Sequence, residues 1–188
     1  MTNHLNIEKF FDNKVLFFET KKFNDERGFF SEIFNKKDFS EIGISLDLAQ
    51  VNFSYSKYKN TVRGIHFTQN PMAQTKLIKV CSGKIYAIVL DVRKNSSTFG
   101  KYVSFILSKE NFKQLFVPVG FAHAFCTLED HTEIVYKTSN YYSPDNEVTI
   151  LWNDKELNIP WPINNKEVII SAKDSKGVKF RNFKDTLE

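Results

Sequence analysis

An all-β sandwich or barrel with few helices is the fold the sequence predicts, on three observations. Seven stretches rich in β-branched and aromatic residues recur along the chain, each bounded by turn residues. Phenylalanine is heavily used, 19 against seven glycines, which suits sheets packed face to face and an aromatic interface between subunits. Within the first two thirds, only residues 35–43 read as a helix. The span 1–188 is expected to be a single domain, burying roughly 70% of the surface its unfolded chain exposes. No repeat, low-complexity tract or linker divides it.

The first strand segment is KVLFFETK (14–21), followed after the loop Asp25-Glu26-Arg27-Gly28 by FFSEIF (29–34). NKKDFSEIG (35–43) then reads as a short helix, with Gly43 as its stop signal. VRGIHF (62–67) precedes the long run TKLIKVCSGKIYAIVLDV (75–92), which Ser82-Gly83 divides as a tight hairpin. A loop from Lys94 to Gly100 leads to YVSFILS (102–108), KQLFVPVGFAHAFCTL (113–128) and TEIVYKTSNYY (132–142).

Several function classes are disfavoured by composition. The formal charge of +4 is slight, and apart from a loose cluster at Lys173, Lys176, Lys179, Arg181 and Lys184 the lysines are scattered. Such a field favours small anionic ligands and gives no case for nucleic acid. Cys81 and Cys126 lie in apolar runs without paired spacing, so both are expected to be buried free thiols in a reducing cytoplasm. Charges interrupt the first 19 residues where a signal peptide needs an apolar stretch, and no window approaches the roughly 20 apolar residues of a membrane span. The expectation is a soluble, cytoplasmic protein with no membrane partner.

Strand periodicity sets Lys76 on one face with Ile78 and Val80, against Leu77, Lys79 and Cys81 on the other. A lysine among core residues either snorkels out or lines a polar cavity. By the same alternation His123 stands with Phe121 and Phe125, and Tyr136 with Ile134. Each of these polar residues, taken alone, is better explained by an ordinary structural position, solvated for the lysine and a satisfied core site for the others, than by chemistry.

Small barrels of this kind include the cupins, whose metal-binding members present two histidines one residue apart, a glutamate, and a later histidine in PxGxxH. PVGFAH (118–123) supplies the later motif, but Phe67 and Thr68 follow His66 and no glutamate occurs from His66 to Lys109. Two histidines are too few for an iron or zinc site, which normally has at least three protein ligands, so no metal is expected.

DERGFFSEIF, QVNFSYS, VRGIHF, QTKLIKVCSGKIYAIVLDVRKNSSTFGKY, LFVPVGFAHAF, YKTSNYYSPDNEVTILWND, IPWP and SAKD occur in an order and spacing that resembles the dTDP-4-dehydrorhamnose 3,5-epimerase family. The resemblance covers nearly the whole chain. It implies a cupin-type jelly roll, no cofactor, a homodimer, and epimerisation at C3, C5 or both of a nucleotide-linked 4-keto sugar. It implies His66 as general base oriented by Asp174, Tyr136 as the opposing acid, and Lys76 in the active site. Arg63 and His123 match positions lining the sugar and phosphates, Tyr142 one near the sugar or base, and Gln50 and Asn52 a nucleotide-binding strand. Arg27, Phe30 and Glu32 match residues that reach into a partner subunit's site. Ala124 departs from the glycine that the family usually carries there, and its methyl is expected to narrow the pocket or shift His123.

The residue types suit that chemistry. A hydrogen beside a ketone is removable because the charge spreads onto oxygen, and inversion needs a base on one ring face and a donor on the other. Imidazole is a base near neutrality, and a carboxylate on its far nitrogen fixes the tautomer. A lysine steadies an enolate oxygen, and an arginine fork fits a diphosphate. No step changes oxidation state, in keeping with the absence of a GxGxxG or phosphate-loop motif. The nucleotide (dTDP, GDP or CDP) and the ring, hexose or heptose, stay open. So do three competing readings: a ketoisomerase moving the carbonyl between C4 and C3, a sugar-nucleotide binding module without turnover, and a metal-dependent dioxygenase.

Overall fold

The computed structural model describes residues 5–44, 46–163 and 167–184. Its strands run β1 (Leu5–Phe10), β2 (Val15–Thr20), β3 (Phe23–Asp25), β4 (Gly28–Phe30), β5 (Gln50–Ser56), β6 (Thr61–Thr68), β7 (Lys76–Ser82), β8 (Lys84–Asp91), β9 (Tyr102–Ser108), β10 (Lys113–Val117), β11 (Phe121–Thr127), β12 (Thr132–Thr138), β13 (Glu147–Thr149) and β14 (Ile169–Ile170). Two short helices, α1 (Lys36–Glu41) and α2 (Phe180–Lys184), complete the regular structure with two 3₁₀ turns. The expected helix is present, its first turn capped by the Asn35 side chain accepting from Lys37 N–H. No helix among the described residues is long and apolar enough to cross a membrane.

One sheet has the order β1-β2-β10-β7-β12-β5 and the other β13-β6-β11-β8-β9, with β14 added parallel to β6. Interior residues of both sheets meet in one apolar layer, Phe17, Ile78, Val80, Leu115 and Ile134 from the first against Ile85, Ala87, Val89, Phe105 and Phe125 from the second. This is the all-β jelly roll the sequence predicts. Its outer faces are covered as well. Phe39 of α1 seals Leu16, Phe18 and Leu77 on one side, and Phe180 and Phe183 of α2 seal Ile65, Ile88, Ala122 and Ala124 on the other. Strand β11 is therefore buried along its whole length, and a strand buried on both faces reads as a continuous apolar run.

Three local expectations change. Ser82-Gly83 is not a hairpin turn: β7 pairs with β10 and β12, and β8 with β9 and β11, so the chain crosses between sheets at Gly83. Gly83 has φ +74°, and a β-carbon there would lie 2.4 Å from Thr132 Oγ1, so the corner requires glycine. Cys126 is buried, its thiol pushed up to about 12 by burial, but Cys81, near the end of β7, is exposed. Pro118-Val119-Gly120 splits 113–128 into two strands that belong to different sheets.

Candidate active site

A cavity of about 710 Å³ opens between the two sheets, lined from one side by β5, β7 and β12 and from the other by β6, β11 and the segment 169–174. Strand β6 carries two of its polar residues, Arg63 and His66, three positions apart. In a regular strand that spacing sends side chains to opposite faces. Here β6 bulges: His123 pairs with His66 but Phe125 with Arg63, so three steps on β6 match two on β11. Gly64, at φ +110°, takes up the extra residue, and both side chains reach the same cavity.

The bulge also sets the His66–Asp174 pair. With Gly64 turned, its N–H donates to Asp174 Oδ2 at 3.1 Å, while Asp174 Oδ1 lies 2.8 Å from His66 Nε2. Asp174 is 4% exposed, and its own N–H donates to Ser171 Oγ. Burial alone would raise this carboxyl, but the bonds from His66 and Gly64 outweigh it and hold it below the usual carboxylate range. A carboxylate at Nε2 places the neutral ring's proton there and leaves Nδ1 as the basic nitrogen.

The opposite wall carries a phenol and a lysine. Tyr136 stands on β12 between Asn52 of β5 and Ile78 of β7, and burial raises its phenol above the ordinary value, keeping it protonated. Lys76 lines the cavity, and its removal from bulk water lowers its ammonium, an effect Glu147 partly offsets. His123 on β11 is 8% exposed, and burial followed by the charges of Lys76 and His66 drives it well below the ordinary imidazole value. It is neutral at pH 7. Among the described residues, the buried polar side-chain atoms without a hydrogen-bond partner are Ser54 Oγ, His123 Nε2 and Thr149 Oγ1, and the first two residues line this cavity.

Gln50 and Asn52 also line it, bonded to each other at 2.6 Å, and Gln50 Oε1 accepts from Tyr142 N–H. Arg63 is fixed at the rim, donating to the Tyr55 carbonyl at 3.1 Å and to Ser56 Oγ at 3.3 Å. Nine of the twelve expected site residues thus converge. Arg27, Phe30 and Glu32 do not: Arg27 and Phe30 lie on the exposed β3–β4 hairpin, Glu32 just beyond it, and Phe30 is 70% exposed. The Ala124 methyl is not in the cavity either. Alternation along β11 turns it to the opposite face, where it packs against Gly64 and Ile88.

Two charged residues that carried no role in the sequence reading complete the wall beside His66. Glu147 opens β13, with Oε1 3.9 Å from His66 Nδ1, while Oε2 accepts from Tyr142 Oη at 3.1 Å and from Lys173. Burial opposes its ionisation, but Lys173, His66 and Tyr142 together hold its carboxyl below the usual value. No group of three or more His, Cys, Asp or Glu side chains among the described residues is arranged to hold a metal.

A jelly roll whose inner cavity sets a carboxylate-held imidazole on one sheet against a phenol and a lysine on the other defines a cupin-type protein with the residue types an isomerase needs. Residues 13–182 match the family model described as dTDP-4-dehydrorhamnose 3,5-epimerase. The enzyme of that name from Shigella flexneri is 49% identical over 167 residues, 88% of this chain and 91% of that protein. Among solved structures, the Bacillus anthracis dTDP-4-dehydrorhamnose 3,5-epimerase with TDP and PPi bound is 45% identical with a TM-score of 0.90, covering 93% of this chain and 99% of that one. The Legionella pneumophila dTDP-6-deoxy-D-glucose-3,5-epimerase in complex with dTDP-4-keto-L-rhamnose is 38% identical with a TM-score of 0.88, covering 94% and 93%. The chain belongs to the dTDP-4-dehydrorhamnose 3,5-epimerase family.

Proposed function

We propose that this protein performs the family reaction, inverting C3 and C5 of a dTDP-linked 4-keto-6-deoxy sugar, with His66 as base and Tyr136 as acid. The observation that carries the assignment is the placing of the His66–Asp174 pair and the Tyr136 phenol on opposite sheets around one cavity. His66 Nδ1 takes the proton next to the ketone, and Asp174 stabilises the imidazolium that forms. Lys76 and the neutral His123, both lining the cavity, would donate to the enolate oxygen, worth about 3 to 4 kcal/mol for one such donor by analogy with oxyanion holes. Tyr136 then returns a proton from the other ring face. Arg63 at the rim, with Lys173, offers positive charge to the diphosphate, and Gln50 and Asn52 offer amides to the nucleotide base.

The active form we propose is a homodimer. Strand β5 is inverted in polarity, with Gln50, Asn52 and Ser54 turned to the cavity while Val51, Phe53 and Tyr55 are exposed. Three apolar side chains in line on an edge strand are a surface for another chain to cover. The β3–β4 hairpin, carrying Arg27 and Phe30 away from its own cavity, would complete the partner's, Phe30 on the nucleotide base and Arg27 on phosphate. The exposed thiol of Cys81 fits a reducing cytoplasm, and layers drawn from both ends of 1–188 support one domain.

The test is hydrogen exchange. In deuterium oxide with dTDP-4-keto-6-deoxyglucose, the wild type incorporates deuterium at C3 and C5, read by NMR, and His66→Ala loses both while keeping its melting temperature. Absence of exchange in the folded wild type would refute the assignment. Sedimentation of wild type and Phe53→Glu tests the dimer, which the charged variant should dissociate.

A further inference from the structure

Double inversion by one base raises a question of proton traffic. When His66 Nδ1 has taken the proton from the first carbon, it must lose it before it can act on the second. Asp174 cannot receive it, because it bonds the other nitrogen. The inference that follows rests on the reaction assigned above.

We propose that Glu147 empties the base between the two abstractions, accepting the proton from His66 Nδ1 and passing it to solvent. Three observations point to it. Its Oε1 faces Nδ1 at 3.9 Å, roughly 0.7 Å beyond hydrogen-bond range, a gap that a small side-chain rotation closes. Its two oxygens are used unequally: Oε2 is held by Tyr142 Oη and Lys173, while Oε1 has no hydrogen-bond partner among the described residues. Anchored through one oxygen, the carboxylate aims the other at the base. Finally, its two anchors are on the cavity rim, Tyr142 53% exposed and the Lys173 side chain 51% exposed, so the route onward reaches water.

In the transfer the Nδ1–H bond breaks, its electron pair stays on the ring, and an O–H bond forms on Glu147. Solvent water then takes the proton, restoring neutral imidazole and carboxylate. Lys173 and Tyr142 keep Glu147 ionised at rest, so it carries the proton only in passing and does not trap it. Glu147, which lines the cavity beside His66, is a relay residue for the second inversion.

The test compares wild type, Glu147→Gln and Glu147→Asp on dTDP-4-keto-6-deoxyglucose in deuterium oxide, counting singly and doubly labelled product over time by mass spectrometry and NMR. The amide of Glu147→Gln keeps an acceptor for Lys173 and Tyr142 but takes no proton. The first exchange should stay within about threefold of wild type and the second fall by about 30-fold or more, a loss in the range of general acid–base contributions. Singly inverted product then accumulates, and Glu147→Asp or added formate returns the ratio toward wild type. Equal slowing of both exchanges, which a structural role predicts, overturns the relay, as does an unchanged ratio. A wild type that exchanges at neither carbon would instead refute the function assigned above. Exchange at both carbons in wild type with an unaltered ratio in Glu147→Gln refutes the relay alone.

Discussion

Asp174→Asn isolates the electrostatic part of the base. The wild-type carboxylate touches His66 Nε2 at 2.8 Å and Gly64 N–H at 3.1 Å. The carboxamide keeps one acceptor oxygen, for Gly64 or for His66 but not both, and it withdraws the charge from the imidazolium. With charge centres roughly 4 Å apart and an effective dielectric near 20, that charge is worth about 4 kcal/mol. His66 has a quarter of its side chain exposed, and solvent screening trims this to about 3 kcal/mol, or about 10²-fold in rate. If the amide nitrogen turns toward Nε2, the ring proton is forced onto Nδ1 and the loss approaches about 10⁴-fold, the size seen for the same change in another carboxylate-oriented histidine. Deuterium uptake at C3 and C5, with thermal unfolding measured in parallel, reads the effect directly. The expected result is a 10²- to 10⁴-fold loss with the melting temperature within about 3 °C of wild type. Retention of exchange within about fivefold, about 1 kcal/mol, would refute the assignment of Asp174 as the group that stabilises the protonated base.

Other consequences follow from the same geometry. Tyr136→Phe keeps the base and loses the donor, so deuterium should still enter the recovered substrate while inverted product falls about 10²- to 10⁴-fold, as NMR distinguishes. Gly83→Ala forces a β-carbon against Thr132 at a positive φ and should cost about 1 to 3 kcal/mol, seen as a fall of several degrees in melting temperature. His123 is lowered in the folded state, so it contributes stability that is present above its unfolded value near 6.5 and lost as pH falls toward its folded value. Melting between pH 7 and 5 should therefore weaken by up to about 1.4 kcal/mol per pH unit from this residue, and His123→Gln should flatten that part of the curve.

Much of the site was legible because period two is a local property. Lys76, His123 and Tyr136 each share a strand face with core residues, and each does line the cavity. The glycines behaved differently. Ser82-Gly83 carries the same local signal whether the flanking strands pair or part, and only the long-range choice between sheets makes it a corner. Arg63 and His66 fall on opposite faces by alternation, and the bulge at Gly64 that unites them depends on Asp174, 110 residues away, and on the close approach of Ala124. Ala124 was expected beside the pocket because sequence adjacency to His123 suggests proximity, whereas alternation puts neighbours on opposite faces. Glu147 had no visible role because a single carboxylate in a three-residue strand looks like an ordinary surface group until Lys173 and Tyr142 are seen to hold it.

Asp174 lies downstream of every strand in both sheets, in a 3₁₀ turn (Asp174–Lys176) just before α2, whose Phe180 and Phe183 close the outer layer over Ile65 and Ala124. The His66 imidazole thus sits on a barrel strand, while its carboxylate partner arrives with a peripheral strap. Peeling that strap away leaves β6 paired with β11 and β13 but deprives His66 of its anchor and Gly64 of its acceptor. The geometry around His66 is therefore tied to the docking of two phenylalanines on the outer layer.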